Sequence, residues 1–237
     1  MSYEPNTHPA QAAILRALLF APDANFSTLQ KSTDLTSDHF NFHIKKLQKH
    51  GFLTKSDSRY HLTAKGKEYA NRMDTDDHKI EKQPKVGVLL CLERINSNGE
   101  KEYLLQQRLK QPYFEFWGRF GGKVRWGESF EDCAKRELKE EAGLDADFTF
   151  RSVYRKRDFS EKTSELLEDK IFIVMHADKY TGTLIEDFEG GHNEWLTADQ
   201  LKQKEKLFAG TEEFLALLEQ KDAPYLAQDN TYDPADY

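Results

Sequence analysis

Glu137, Glu140 and Glu141 stand at i, i+3 and i+4 in a stretch, Phe130 to Ala142, that contains neither Pro nor Gly and is rich in Ala, Leu, Glu, Lys and Arg. Such a stretch reads as a helix. On a helix this spacing brings the three carboxylates together on one side, where they repel by roughly a few tenths of a kcal/mol per pair. A divalent cation reverses that sign, because hard cations take oxygen ligands. Arg136 lies four residues before Glu140 and can hold a carboxylate through paired hydrogen bonds. Just upstream is a glycine loop, Gly121-Gly122, followed by Glu128. The competing reading is a solvated acidic face of an ordinary Glu/Lys helix.

The helix has clear limits. Ser129 suits an N-cap, with Glu131 and Asp132 in the first turn, where the dipole favours negative charge. Gly143 is a C-terminal stop. Phe130, Ala134, Leu138 and Ala142 recur every four residues and predict the packing stripe.

Set out in full, Gly122 to Leu144 is GKVRWGESFEDCAKRELKEEAGL. That is Gly122, five residues, Glu128, seven residues, then Arg136-Glu137-Leu138-Lys139-Glu140-Glu141-Ala142-Gly143-Leu144. The stretch resembles the Nudix box, the signature of Nudix hydrolases. The resemblance implies that Glu137, Glu140 and Glu141 bind Mg²⁺ or Mn²⁺, with the Gly121 carbonyl as a further ligand. It implies that Arg136 orients the glutamates and that Glu128 supports the site. The implied reaction is attack of metal-activated water on the diphosphate linkage of a nucleoside diphosphate joined to another group. The general base is left between a box glutamate and an acid of a later loop, with Asp187, Glu189 and Glu194 as candidates. One position departs from many members of the family: Arg125 stands where a glutamate is common, and it changes the charge facing the substrate.

The elements around the box fit the same family. Lys85 to Ile95 and Lys101 to Leu109 are expected to be strands joined by an Asn96-Ser97-Asn98-Gly99 turn. Phe148 to Phe159 and Lys170 to Tyr180 are two more strand candidates, and Ile171 to Met175 is apolar on both faces, as in a central strand. Thr197–Leu201 and Thr211–Gln220 are expected as short helices. Glu194-Trp195-Leu196 with the residues after it resembles a late strand-to-helix segment of the family. The resemblance covers roughly residues 84 to 221 and implies a Nudix α/β/α sandwich with a mixed sheet. Phe114, Phe116 and Trp117 precede the glycine loop. Phe116 and Trp117, with Arg125, are expected at the substrate, against the alternative of core packing. ADP-ribose hydrolases often carry a Pro some fifteen residues after the box; here there is none between Gly143 and Asp222, and the substrate stays open.

The first eighty residues are of another kind. Ala10 to Leu19 is an amphipathic helix, Ser27 begins a second, and Asp38 to His50 is a third, lined by Phe40, Ile44 and Leu47. A hairpin over Phe52–Thr63 and a last helix through Met73 follow. The order resembles a winged helix-turn-helix of bacterial regulators. From Thr7 to Met73 there are ten Lys plus Arg against five Asp plus Glu, a net of +5, whereas Lys79 to Tyr237 carries −8. A basic domain on an acidic chain is the footprint of nucleic-acid binding. His39, Asn41, Lys45 and Lys46 on the third helix, with Arg59 at the wing, are the expected contacts to double-stranded DNA. The other reading of these residues is a solvated polar surface on a dimerisation module. A homodimer would match the two-fold symmetry of such readers.

At 237 residues the expectation is an α+β protein of two domains: a winged helix-turn-helix at 7–74, a linker at 75–84, a Nudix domain at 85–221 and an acidic tail at 222–237. No apolar run is long enough for a membrane span. The apolar N-terminal stretch contains Arg16 and is unlike a signal peptide. Cys91 and Cys133 are expected to be free thiols in a cytoplasmic protein. Two functions remain: a hydrolase with a DNA-binding module, or a transcription regulator whose Nudix domain senses a nucleotide without useful turnover.

Overall fold

The computed structural model describes residues 8–73, 82–211, 213–215 and 224–237. The chain divides into two compact units, Met1–Lys82 and Gln83–Tyr237. The stretch expected as a linker lies largely outside the described residues.

The first unit runs α1 (Pro9–Leu19), β1 (Ala24–Asn25), α2 (Phe26–Lys31), α3 (Ser37–Lys49), β2 (Leu53–Ser56), β3 (Arg59–Leu62) and α4 (Ala64–Asn71). Pro9 opens α1, where its missing N–H is no loss, and the His8 ring accepts from Ala10 N–H. Asn25 caps α2, not Ser27: its side chain accepts from Thr28 N–H. α4 stops at Asn71, two residues short of the expected end. β2 and β3 are joined by Asp57 and Ser58, both at positive φ, the turn geometry that matches strand twist. The three strands pair in the order β1-β3-β2. Phe40, Ile44 and Leu47 of α3 meet Ile14 and Leu15 of α1 and Phe52 and Tyr69 in one apolar core.

The second unit contains β4 (Lys85–Ile95), β5 (Lys101–Arg108), β6 (Trp117–Gly118), α5 (Phe130–Ala142), β7 (Leu144–Asp145), β8 (Thr149–Ser160), β9 (Leu166–Ala177), β10 (Thr181–Gly182), β11 (Asp187–Phe188), β12 (Gly191–Leu196), α6 (Ala198–Lys202) and β13 (Tyr225–Tyr232). The main sheet runs β11-β12-β5-β4-β9-β8-β13, with β6 on β5. It is mixed, with β4·β9 and β13·β8 parallel. β9 is central, as its two-faced apolar run requires. Ile173 and Met175 pack with Val88, Leu90 and Leu138 on the α5 side. Val174 packs with Cys91, Tyr154 and Phe214 on the other.

α5 is the helix that the residues demand. Ser129 accepts from Asp132 N–H, and Gly143 closes the helix at φ 72. Phe130, however, is exposed, and Cys133 takes its place in the buried stripe. Both cysteines are free and buried. α6 forms with a capping box from Thr197. The helix expected over 211–220 lies partly outside the described residues. No helix among the described residues is long and apolar enough to cross a membrane.

The acidic tail proves to be part of the sheet. Residues 225–232 pair with 153–160 in parallel register. Alternate residues explain this: Asn230 and Tyr232 turn inward to Asp158 and Lys156, while Asp229 pairs with Arg157 outside. A chain ending at residue 223 would leave the buried Lys156–Asp158 pair short of two partners. Hydrogen bonds to charged groups contribute about 1.5–3 kcal/mol each, so its melting temperature is expected to fall by on the order of 10 °C. An unchanged melt would contradict this packing.

Candidate active site

The site starts from a splayed hairpin. β4 and β5 pair only over Glu93–Ile95 and Lys101–Tyr103. Beyond that the strands part, and the glycine loop enters the gap. Leu90 N–H donates to Phe120 O and Val88 N–H to Gly122 O, each at 2.9 Å. In this antiparallel alternation the intervening Gly121 carbonyl is not used by β4. Only glycine fits here. A Cβ on Gly121 would lie 2.1 Å from Val88 O, one on Gly87 2.6 Å from Gly122 O, and one on Gly122 1.8 Å from Glu137 Oε1. The loop is therefore clamped between β4 and α5, with the Glu137 carboxylate lying directly on Gly122.

Arg136 organises the carboxylates. It bonds Glu128 at 2.7 and 3.0 Å, Glu137 at 2.5 Å and Glu140 at 3.2 Å. Glu128 also accepts from Arg125 N–H at 2.8 Å. The bonds from Arg136 and then Arg125 N–H push Glu128 down to about 2. Glu137 moves the other way: burial raises it most, Arg136 opposes, and the charges of Glu141 and Glu140 add to the rise. Glu140 is half exposed and meets Arg125 at 3.4 Å. Glu141 accepts from Gln106 at 3.1 Å and meets Lys110 at 3.4 Å. Among the described residues no three acidic, His or Cys side chains are close enough together, as they are turned here, to hold a metal ion. The donor set still fits a hard divalent cation. Three carboxylates of one helix and a spare backbone carbonyl are hard oxygen donors, and Arg125 and Lys110, now beside Glu140 and Glu141, show that positive charge is drawn to them.

The carboxylates form one wall of a cavity of about 690 Å³. Of the residues singled out from sequence, Gly121, Arg125, Arg136, Glu137, Glu140 and Glu141 line it. Glu128 stands behind Arg136. Phe116 and Trp117 do not line it, contrary to expectation. Trp117 packs with Tyr103, Leu105 and Leu196, and Phe116 with Tyr113 and Tyr232. The aromatic walls come instead from Tyr113, Phe120, Tyr154, Phe172, Phe208 and Phe214. Asp187 is paired with His192 and Glu194 with Lys204, each at 2.7 Å; neither they nor the exposed Glu189 reaches the cavity.

Sequence reasoning missed Arg108, Arg119, Lys156, Glu168 and Lys170, which all line the cavity. Arg108 donates to the carbonyls of Pro112 at 2.6 Å and Gln111 at 3.0 Å, and burial lowers its pKa. The one signal for Lys156 was its place in Ser152, Tyr154, Lys156, Asp158 and Ser160, an alternating set that is buried along β8. The outward set of that strand is no more polar, so alternation alone did not choose the inner face. In the first unit His39, Lys45 and Lys46 are exposed on α3 and Asn41 is half-buried. Arg59 is exposed but pairs with Asp23.

A model of the NUDIX domain family matches residues 82–218. Another, described as a domain of unknown function (DUF7347), matches residues 5–73. The chain is 39% identical over 85 residues to the oxidized purine nucleoside triphosphate hydrolase of Danio rerio and 40% identical over 85 residues to that of Mus musculus. Each match covers 36% of this chain and 51% of the relative, so the chain spans about half the length of the curated relatives it matches. Among solved structures, the NUDIX domain of Shewanella oneidensis NrtR complexed with ADP ribose gives a TM-score of 0.49 at 16% identity, over 66% of this chain and 96% of that one.

Gly122→Ala must push Glu137 away or lift the loop off β4, an overpacking that costs about 1–3 kcal/mol. Thermal melts are expected to fall by several degrees, whereas Gly99→Ala, where nothing lies within 4 Å, lacks this clash and gives the cost of a positive-φ glycine alone. Equal losses in both would contradict the clamp.

Proposed function

The chain belongs to the Nudix family, and from that premise we propose that it is a divalent-metal-dependent pyrophosphohydrolase cleaving the diphosphate linkage of a nucleoside diphosphate derivative. The observation that carries the proposal is the cluster of three box glutamates, Glu128, Glu137 and Glu140, on Arg136, with Glu141 one residue on, a glycine cradle and a cavity large enough for a nucleotide. Glu137, Glu140 and Glu141, with the Gly121 carbonyl, would hold Mg²⁺ or Mn²⁺. Once bound, the metal supplies charge neutralisation at the phosphate oxygens and a lowered water pKa.

The residues of the chain do the rest. Arg136 fixes the rotamers of Glu137 and Glu140, with Glu128 bracing it from behind. Arg125 and Lys110 stand at the cavity wall beside Glu140 and Glu141 and are placed to receive phosphate oxygens when those carboxylates turn to a cation. Arg108, held by two carbonyls, presents positive charge midway along the wall. The acid that accepts the proton comes from α5, because the acids of the later loop stand outside the cavity.

The first unit is proposed to be a winged helix-turn-helix that binds duplex DNA through α3, with His39, Asn41, Lys45 and Lys46 at the groove and Arg59 on the hairpin. Support comes from its net charge of +5 over Thr7–Met73, the exposed lysines of α3 and the α2–α3 pair followed by a two-stranded hairpin.

Glu140→Gln and Glu141→Gln are expected to lower metal-dependent hydrolysis on the order of 10²–10⁴-fold while melting temperatures stay within about 2 °C, since neither side chain is in the core. Full activity in both would sink the metal assignment. Lys45→Ala with Lys46→Ala should weaken duplex binding and make the slope of log K against log salt shallower by about two; an unchanged slope would remove DNA from the function.

A further inference from the structure

Beyond the carboxylates the cavity continues onto the sheet face opposite α5, where Tyr154, Phe172 and Phe214 are both cavity wall and apolar cluster. Two cationic side chains are set into this aromatic lining. Lys156 is 7% exposed. Its ammonium donates to Asp158 at 2.7 Å and to Tyr232 Oη at 3.1 Å. A lysine has three donors; the third meets no oxygen or nitrogen acceptor among the described residues, and the ammonium lies over the rings of Tyr113, Phe208 and Tyr232 at 5.4, 5.1 and 4.9 Å. Arg119 lies against the rings of Tyr103 and Phe214, at 4.9 and 5.2 Å. Its Nη1 and Nη2 are buried with no hydrogen-bond partner among the described residues.

The acceptors nearby are already used. Asp158 takes Lys156, Tyr113 and Asn230, and Glu168 takes Lys85 and Lys170. What remains is donor capacity and positive charge between aromatic faces. Buried donors left unmade are costly and rare in native proteins, so such an arrangement is explained by a ligand that completes it. Planar rings stack on the walls, and only acceptors on the ring edge suit the donors.

We infer that this part of the cavity is the chamber for the substrate's nucleobase, and that Lys156 and Arg119 select bases with carbonyl oxygens on the inner edge, as in hypoxanthine or uracil, over bases with amino groups there, as in adenine or cytosine. The inference rests on the nucleotide-hydrolase reading for the word substrate, but its test does not need turnover. Arg119 and Lys156 are specificity residues; the reaction is left to the carboxylate wall. For Arg119 to meet a base, the Phe214 ring must tilt off its guanidinium.

The experiment is calorimetric titration of the full chain, without metal, with inosine and adenosine 5′-monophosphates. The wild type is expected to bind the inosine nucleotide about tenfold more tightly. Arg119→Met should reduce that ratio several-fold with a melting temperature unchanged or raised, because it deletes a buried charge whose Nη1 and Nη2 have no hydrogen-bond acceptor among the described residues; a merely structural arginine would lower the melt and leave the ratio alone. Lys156→Met is made together with Asp158→Asn, so that no lone charge is left, and should bring the ratio near one. Equal or tighter adenosine binding, no binding of either at millimolar concentration, or a ratio preserved in both variants would overturn the inference. If inosine is preferred but no nucleotide with a diphosphate linkage is cleaved with Mg²⁺ or Mn²⁺, the hydrolase reading fails and the chamber stands.

Discussion

The contact between Gly122 and Glu137 is the constraint on which the second unit turns. A backbone with no side chain at 121 and 122 can lie flat on β4, and only then can a carboxylate from α5 rest on it. This fixes the distance from helix to sheet at one point. It also forces β4 and β5 apart after three residue pairs, and the parted strands are the mouth of the cavity. Packing, opening and chemistry thus share one cause. The same contact buries Glu137 among like charges, an arrangement that helix energetics alone would reject and that Arg136 offsets through its bonds to Glu128, Glu137 and Glu140.

The cavity is polarised. Its carboxylate wall is an array of acceptors, and its far part is an array of donors. Buried charge is tolerated only when it is hydrogen-bonded and paired, and the floor follows this rule in two sets: Lys156 and Asp158 on β8 with Asn230 and Tyr232 on β13, and Glu168 with Lys170 on β9. The first set is a hydrogen-bonded network, and such networks fix one arrangement of their members when complete. β13 completes this one, so the last described strand of the chain shapes a cavity whose carboxylate wall is α5, Phe130–Ala142.

Much of the active wall was legible in the residues. Ser129, Gly143 and the spacing of Glu137, Glu140 and Glu141 determine a helix and the side on which its carboxylates gather, because caps and i, i+4 geometry are local. The run Ile171–Met175 declared a strand covered on both faces for the same reason. What was not legible depends on pairing over long distances. Phe116 and Trp117 stand next to the glycine loop in sequence, yet β6 turns them into the core, and the walls are taken by Tyr154, Phe172 and Phe208 from distant elements. The tail from 222 looked merely acidic. Its inward residues, Asn230 and Tyr232, have meaning only once Lys156 and Asp158 stand opposite.

The account stands most directly on metal-dependent turnover. Phosphate-coupled hydrolysis should be measured on the full chain with a panel of nucleoside triphosphates and their oxidised forms, ADP-ribose, NAD, dinucleoside polyphosphates and nucleotide sugars. Each is assayed with Mg²⁺, with Mn²⁺ and with chelator. Fast cleavage of one class, abolished by chelator, is the expected result. Binding across the panel without cleavage under any metal would contradict it, and would make the Nudix domain a nucleotide sensor for the unit that precedes it.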